Sequence, residues 1–219
     1  MMHTQRILFL RKILLLHLVF LMFLSLAACH QKQEGGGLFT LEEVAAREAL
    51  FGKGLDEVLD GLGLTRAAGS KRPYSPGGWR RTKKYTLADT QFNQDLYFTQ
   101  DPTDNGKLTK YRFERLGPNG DSLSFEEVQE LVDVLTSQAM DLYGEPFSIE
   151  NSHVCTSAEE LLEEIQSTDF SGYRYIPWKI GEKTRFNINV GGSSEDGYIL
   201  TVNYTEWDYA AQFMTEDTM

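Results

Sequence analysis

The sequence predicts an α+β fold: two tandem units, each of short helices packed on an antiparallel three- or four-stranded sheet. Two observations carry this. Segments of apolar–polar alternation recur in both halves of the chain. Each set follows a pair of segments whose apolar residues fall three and four apart, the spacing of one helix face. A chain of 219 residues accommodates one large domain or two small ones. An aromatic content of 12% supplies the bulk for a core.

The first element is a leader. Arg6, Arg11 and Lys12 form a positive start, and Ile13 to Ala28 is an apolar run ending in small residues. This is the layout of a secretory signal peptide, and the apolar run is short of the roughly 20 residues that span a bilayer comfortably. Its last four residues, Leu26-Ala27-Ala28-Cys29, resemble the lipobox of bacterial lipoprotein precursors. The resemblance implies that the Cys29 thiol receives a diacylglyceryl group and that cleavage follows Ala28. Cys29 then becomes the N-terminus and holds the protein on the extracytoplasmic face of a membrane. Two or more acyl chains anchor firmly where one holds only marginally. The competing reading is an uncleaved transmembrane anchor. The expected location is the cell membrane, and since His30 is not the aspartate associated with inner-membrane retention, the outer membrane stays open where the cell has one. Residues 1–28 are thus the leader, and residues 29–37, ending in three glycines, a flexible tether.

The first unit spans 38–119. Thr40 and Glu43 have capping-box spacing at the head of a helix over Thr40–Leu50. A second short helix over Gly54–Leu64 puts Leu55, Val58, Leu59 and Leu62 on one side. Three strands follow, at Arg80–Leu87, Phe92–Phe98 and Leu108–Arg115, with Asn105-Gly106 as the turn between the last two. The second unit spans 120–206. Ser124 and Glu127 cap a long helix whose stripe is Val128, Leu131, Val132, Leu135, Ala139 and Leu142, and Gly144 with Pro146 ends it. A shorter helix over Ser157–Gln166 carries Leu161, Leu162 and Ile165. Strands over Tyr173–Ile180, Thr184–Val190 and Tyr198–Tyr204 complete it, each with one dry face and one wetter face. Residues 207–219 read as a fraying tail.

Both halves therefore run helix, helix, three strands, with a helix ending at glycine and a tryptophan at the first strand, which suggests a diverged duplication. The element order resembles that of the β-lactamase inhibitor protein and of small outer-membrane lipoproteins of the barrel-assembly machinery. The resemblance implies helices on one face of an antiparallel sheet and carries no binding residues across.

Charge sets the expected partners. The formal net charge is −11, and loss of the three basic leader residues takes the mature chain near −14. Such a chain as a whole repels nucleic acid and anionic lipid. Against this, Leu64–Ala88 holds seven basic residues and no acidic one. Trp79, Arg80, Arg81, Lys83 and Lys84 form the candidate binding patch, suited to an envelope protein or an anionic wall polymer. The competing reading is an edge strand guarded by lysine against unwanted pairing. From Leu116 to Tyr173 there are thirteen acidic residues and no Lys or Arg. These read as solvated helix faces, or as a surface that meets the basic strand or a basic partner.

Catalytic and metal readings fare worse. Asp101–Gly106 echoes a calcium loop but lacks its closing glutamate, Arg112 standing there instead, so it reads as a turn. His153 and Cys155 have no third ligand at zinc spacing and no orienting group for a nucleophile pair. Cys155 reads as a small, partly buried apolar residue. The expectation is a non-catalytic binding or scaffold lipoprotein of the cell envelope, with no cofactor, metal or nucleic-acid partner. The alternative is an extracytoplasmic hydrolase acting on a cell-wall component.

Overall fold

A computed structural model describes residues 37–117, 120–149, 151 and 153–207. The leader, Cys29 and the tether up to residue 36 lie outside the described residues. Within them the fold is α+β, four α-helices with an eight-stranded antiparallel sheet.

Helix α1 (Leu41–Glu48) starts at Thr40, whose hydroxyl accepts from the Glu43 amide while the Glu43 carboxylate accepts from the Thr40 amide. Two otherwise unpaired donors of the first turn are thereby satisfied. Glu42 and Glu43 sit at its positive end and Arg47 at its negative end. Helix α2 (Leu55–Gly61) buries Leu55, Val58 and Leu59. The long helix α3 (Phe125–Tyr143) repeats the capping box with Ser124 and Glu127. It stops at Gly144, whose φ of 78° suits a residue without a Cβ. Its buried positions are Val128, Val132, Leu135, Thr136 and Ala139, while Leu131 and Leu142 flank the core. Helix α4 (Ala158–Gln166) begins behind Ser157 and buries Leu161 and Ile165.

The strands are β1 (Gly69–Lys71), β2 (Gly78–Arg81), β3 (Tyr85–Leu87), β4 (Thr90–Phe98), β5 (Leu108–Arg115), β6 (Ser171–Ile180), β7 (Thr184–Ser193) and β8 (Gly197–Glu206). They join in the order β1-β2-β4-β5-β8-β7-β6, with β3 also on β4. The strands of both halves thus share one continuous sheet. Its seam is β5 against β8, where Tyr111 faces Tyr204 and Phe113 faces Val202.

Three local expectations are corrected. The strand expected over Arg80–Leu87 is two, β2 and β3, along the same edge of β4. Arg80 lies opposite Asp95 but Tyr85 lies opposite Phe92, so the four residues Arg81–Lys84 span the two residues Asn93 and Gln94, and the chain bends at Thr82 and Lys83. The two-residue turn at Asn105-Gly106 is part of a longer loop between β4 and β5. There the Asp101 side chain accepts from the Thr103 amide and hydroxyl, and its carbonyl accepts from the Asp104 and Gly106 amides. One carboxylate oxygen is used within the turn, and the other accepts from the Lys71 ammonium of β1. Strand β1 was not expected at all. It pairs with β2 because Gly69 lets the Trp79 ring and the Arg80 carbonyl approach closer than any side chain would allow. In the tail, Trp207 packs on Phe147 and its amide donates to the Lys183 carbonyl. Residues 208–219 lie outside the described residues.

All four helices share one core with one face of the sheet. Leu96, Tyr111, Phe113, Val202, Tyr204, Phe186, Ile188, Trp178 and Ile176 supply that face. The chain enters it at Leu38-Phe39. The Phe39 amide donates to the Tyr204 hydroxyl (3.0 Å), and the Tyr143 hydroxyl donates to the Phe39 carbonyl. The Phe39 ring packs on Tyr204, Phe113 and Tyr85, and the Arg47 guanidinium lies 3.7 Å from its centre. The β6 edge is covered: Phe147 donates to the Pro177 carbonyl, Cys155 to that of Tyr175, and Tyr175 to that of His153. Pro177 is therefore at home on this strand, where no ladder donor is needed.

Candidate functional site

The other face of the sheet carries the polar half of the alternation. Register places its side chains in rows. One row runs Arg80, Asp95, Arg112, Asn203, Asn187 and Pro177 across β2, β4, β5, β8, β7 and β6. The next row in one direction is Tyr97, Lys110, Thr205, Arg185 and Lys179. In the other direction it is Asn93, Glu114, Thr201, Asn189 and Tyr175, and beyond that Ile199, Gly191 and Tyr173.

A charge network occupies the β2–β5 side. Asp95, fully buried, accepts from Arg80 Nε and Nη2 at 2.6 and 2.8 Å and from Arg72 Nη1 at 3.0 Å. Glu114 accepts from Arg80 through one oxygen and from Arg112 Nη2 through the other, at 2.6 Å. Arg72 also reaches Glu114 at 3.7 Å and donates to the Tyr97 hydroxyl. The two carboxylates hold the Arg80 guanidinium well above its ordinary pKa. The forked Arg80–Asp95 pair sits at the centre, and single bonds tie Arg72 to Asp95 and Arg112 to Glu114.

Four cations, Arg72, Arg80, Lys110 and Arg112, thus face two carboxylates, Asp95 and Glu114. Lys110 is half-buried with its ammonium 5.4 Å from the Tyr97 ring centre, and among the described residues it makes no ion pair. Burial and the adjacent Arg112 both lower its pKa. Two clefts flank the network. One of about 520 Å³ lies between the Ser70–Ser75 segment, Arg80 and Tyr97. The other, of about 300 Å³, is walled by Lys110, Arg112, Asn203, Asn189, Tyr173 and Ile199, with Gly191 and Gly192 on its floor. Tyr173 and Ile199 are 39% and 38% exposed, large apolar groups standing in solvent.

The patch expected from sequence is dispersed. Trp79 is buried in the core on the helix side. Arg81 is on that same side and donates to Gln94 at 2.8 Å. Lys83 and Lys84 are exposed in the bend between β2 and β3. Arg80 alone of the five reaches the open face, because adjacent strand residues point to opposite faces. Among the described residues Arg72 and Arg80 pair with Asp95 and Glu114 rather than with the acidic helices, and Glu164 of α4 pairs with Arg174 of β6. Absent from the expected patch are Arg72, Asp95, Tyr97, Lys110, Arg112 and Glu114. The signal for three of them was the every-second-residue recurrence of charge in β5, at Lys110, Arg112 and Glu114, visible as alternation but silent about partners.

Among the described residues no group of three or more His, Cys, Asp or Glu could hold a metal ion. Cys155 is buried, and desolvation with Glu160 and Glu164 nearby pushes its thiol up to about 12. His153 stacks on Tyr173 and meets Arg174 through Nδ1. No helix among the described residues is long and apolar enough to cross a membrane. Comparison with family models, with curated proteins and with solved structures finds no match.

Proposed function

We propose that this chain is the precursor of a membrane-anchored extracytoplasmic lipoprotein with a non-catalytic binding role in the cell envelope. The anchor rests on Leu26-Ala27-Ala28-Cys29 behind a basic, then apolar, leader. The observation that supports binding is the polar sheet face, which combines ordered arginines, an unneutralised lysine and exposed apolar groups, with no helix of the described residues packed on it. A hydrolytic reading draws no support from the carboxylates there, since each oxygen of Asp95 and Glu114 already accepts from arginine. The mirrored strand order about the β5–β8 seam supports a diverged duplication.

The test is to express the intact precursor in a bacterial host and weigh the mature N-terminal peptide. The expected result is a lipid-modified Cys29 as first residue, absent in Cys29→Ser. An unprocessed chain starting at Met1 or Met2 would replace the lipoprotein with a transmembrane anchor.

A further inference from the structure

The 300 Å³ cleft on the open face has two unlike ends. At one end Lys110 and Arg112 bring two cations together, and among the described residues the only carboxylate bonded to either is Glu114, which also serves Arg80. At the other end Tyr173 and Ile199 stand up from a floor made by Gly191, which has no side chain. Between them lie Asn189 and the nearly buried Asn203 and Thr201, where Asn203 Nδ2 donates to Thr201 Oγ1 and to Asn187 Oδ1. A polyanion would use the first end and leave the second wet. An extended peptide uses both.

We propose that this cleft docks an extended segment of a partner protein, its acidic side chain held by Lys110 and Arg112 and its apolar side chain lying on Tyr173 and Ile199. This rests on the binding role proposed above and names its ligand class. The spacing is specific. Arg112 lies opposite Asn203, four residues from Ile199 along β8, or roughly 13 Å at the strand rise. A bound strand therefore carries its acidic and apolar residues three to five positions apart. Charge complementarity gives the direction: the face carries six basic side chains, Arg72, Arg80, Lys110, Arg112, Lys179 and Arg185, against Asp95 and Glu114, on a chain of net charge −11, so an acidic segment is drawn to this face and repelled elsewhere.

The experiment pans a phage-displayed random peptide library on the full chain in detergent and measures enriched peptides by fluorescence anisotropy. The expected winners carry Asp or Glu three to five positions from Leu, Ile or Phe. Their binding falls at least tenfold in Lys110→Glu and in Ile199→Asp, and weakens as salt rises. Lys84→Glu, away from the face, leaves it unchanged. Thermal unfolding of each variant, with Lys110→Gln as the milder change, shows that the fold is retained. No enrichment, winners lacking the acidic residue, or binding indifferent to both cleft variants overturns the proposal. Polyphosphate is run alongside: a chain that binds it and no peptide, with sensitivity to Lys110→Glu but not Ile199→Asp, has a polyanion site instead. The Cys29 peptide mass on the same preparations separates the two proposals. Peptide binding without lipid ends the anchor and keeps the cleft, and lipid without peptide binding does the reverse.

Discussion

Arg80 and Asp95 face each other across β2 and β4, the guanidinium closing on both carboxylate oxygens while Asp95 is shut off from solvent. Removing the charge from Asp95 leaves Arg72 and Arg80 to share Glu114 with Arg112 on a half-buried surface. Asp95→Asn is expected to cost about 3 kcal/mol, the scale for breaking a buried pair on one side. Replacing both partners with apolar residues, Arg80→Met with Asp95→Leu, recovers most of that loss. Urea unfolding of the three proteins checks this. A loss below about 0.5 kcal/mol in Asp95→Asn, typical of surface changes, would mean that the network is solvated.

The hydroxyls of Tyr204 and Tyr143 hold the two backbone groups of Phe39. Tyr204→Phe leaves a buried N–H unpaired and is expected to destabilise by about 2 kcal/mol. Tyr143→Phe is expected to cost about 1 kcal/mol, a single hydrogen bond. Hydrogen exchange at the Phe39 amide reports the same event locally: it speeds in Tyr204→Phe well beyond what the global change explains.

Alkali should unfold the protein. Burial raises the phenol pKa of Tyr111, Tyr143 and Tyr204. The folded state keeps these protons above pH 10, where an unfolded chain with an ordinary tyrosine pKa of about 10 releases them. The unfolded state then binds fewer protons, so stability falls as pH rises. Below pH 10 the contribution is fully present. Tm measured between pH 8 and 11.5 should drop steeply only past pH 10, coincident with tyrosinate absorbance at 295 nm.

Cys155 should resist thiol reagents. In Cys29→Ser, where it is the sole cysteine, a thiol pKa of about 12 leaves roughly a thousandfold less thiolate at pH 8 than in an unfolded chain. Labelling by Ellman's reagent should be slow in buffer and fast in 6 M urea. Rapid labelling of the native protein would mean that the 151–157 segment opens readily from the β6 edge.

Elements whose causes are local were legible in the sequence. Thr40 with Glu43 and Ser124 with Glu127 announce their helices because a capping box is made within four residues. Alternation in Thr184–Val190 and Tyr198–Tyr204 announces strands because one face is dry. The site was not legible in the same way. Counting charge along Leu64–Ala88 grouped Arg80 with Arg81, yet neighbours on a strand look in opposite directions, and the partners of Arg80 are 15 and 34 residues away. Only the register of β2 on β4 and of β4 on β5 brings them together. Strand β1 escaped for a similar reason: three residues with no apolar pattern are held by a tryptophan that sits over a glycine.

The clamp on Phe39 has a mechanical consequence. Phe39 follows Cys29 by ten residues, a leash of at most about 35 Å when taut. A pull on a lipidated Cys29 would arrive at one residue whose two flanking peptide units are fastened to the middle of the sheet through Tyr204 and to the longest helix through Tyr143. Force would be shared between two layers in shear, with no hairpin at the margin to peel. The open face lies on the opposite side of the sheet from that attachment, so strain in the leash is borne without bending the surface that carries Arg112 and Ile199.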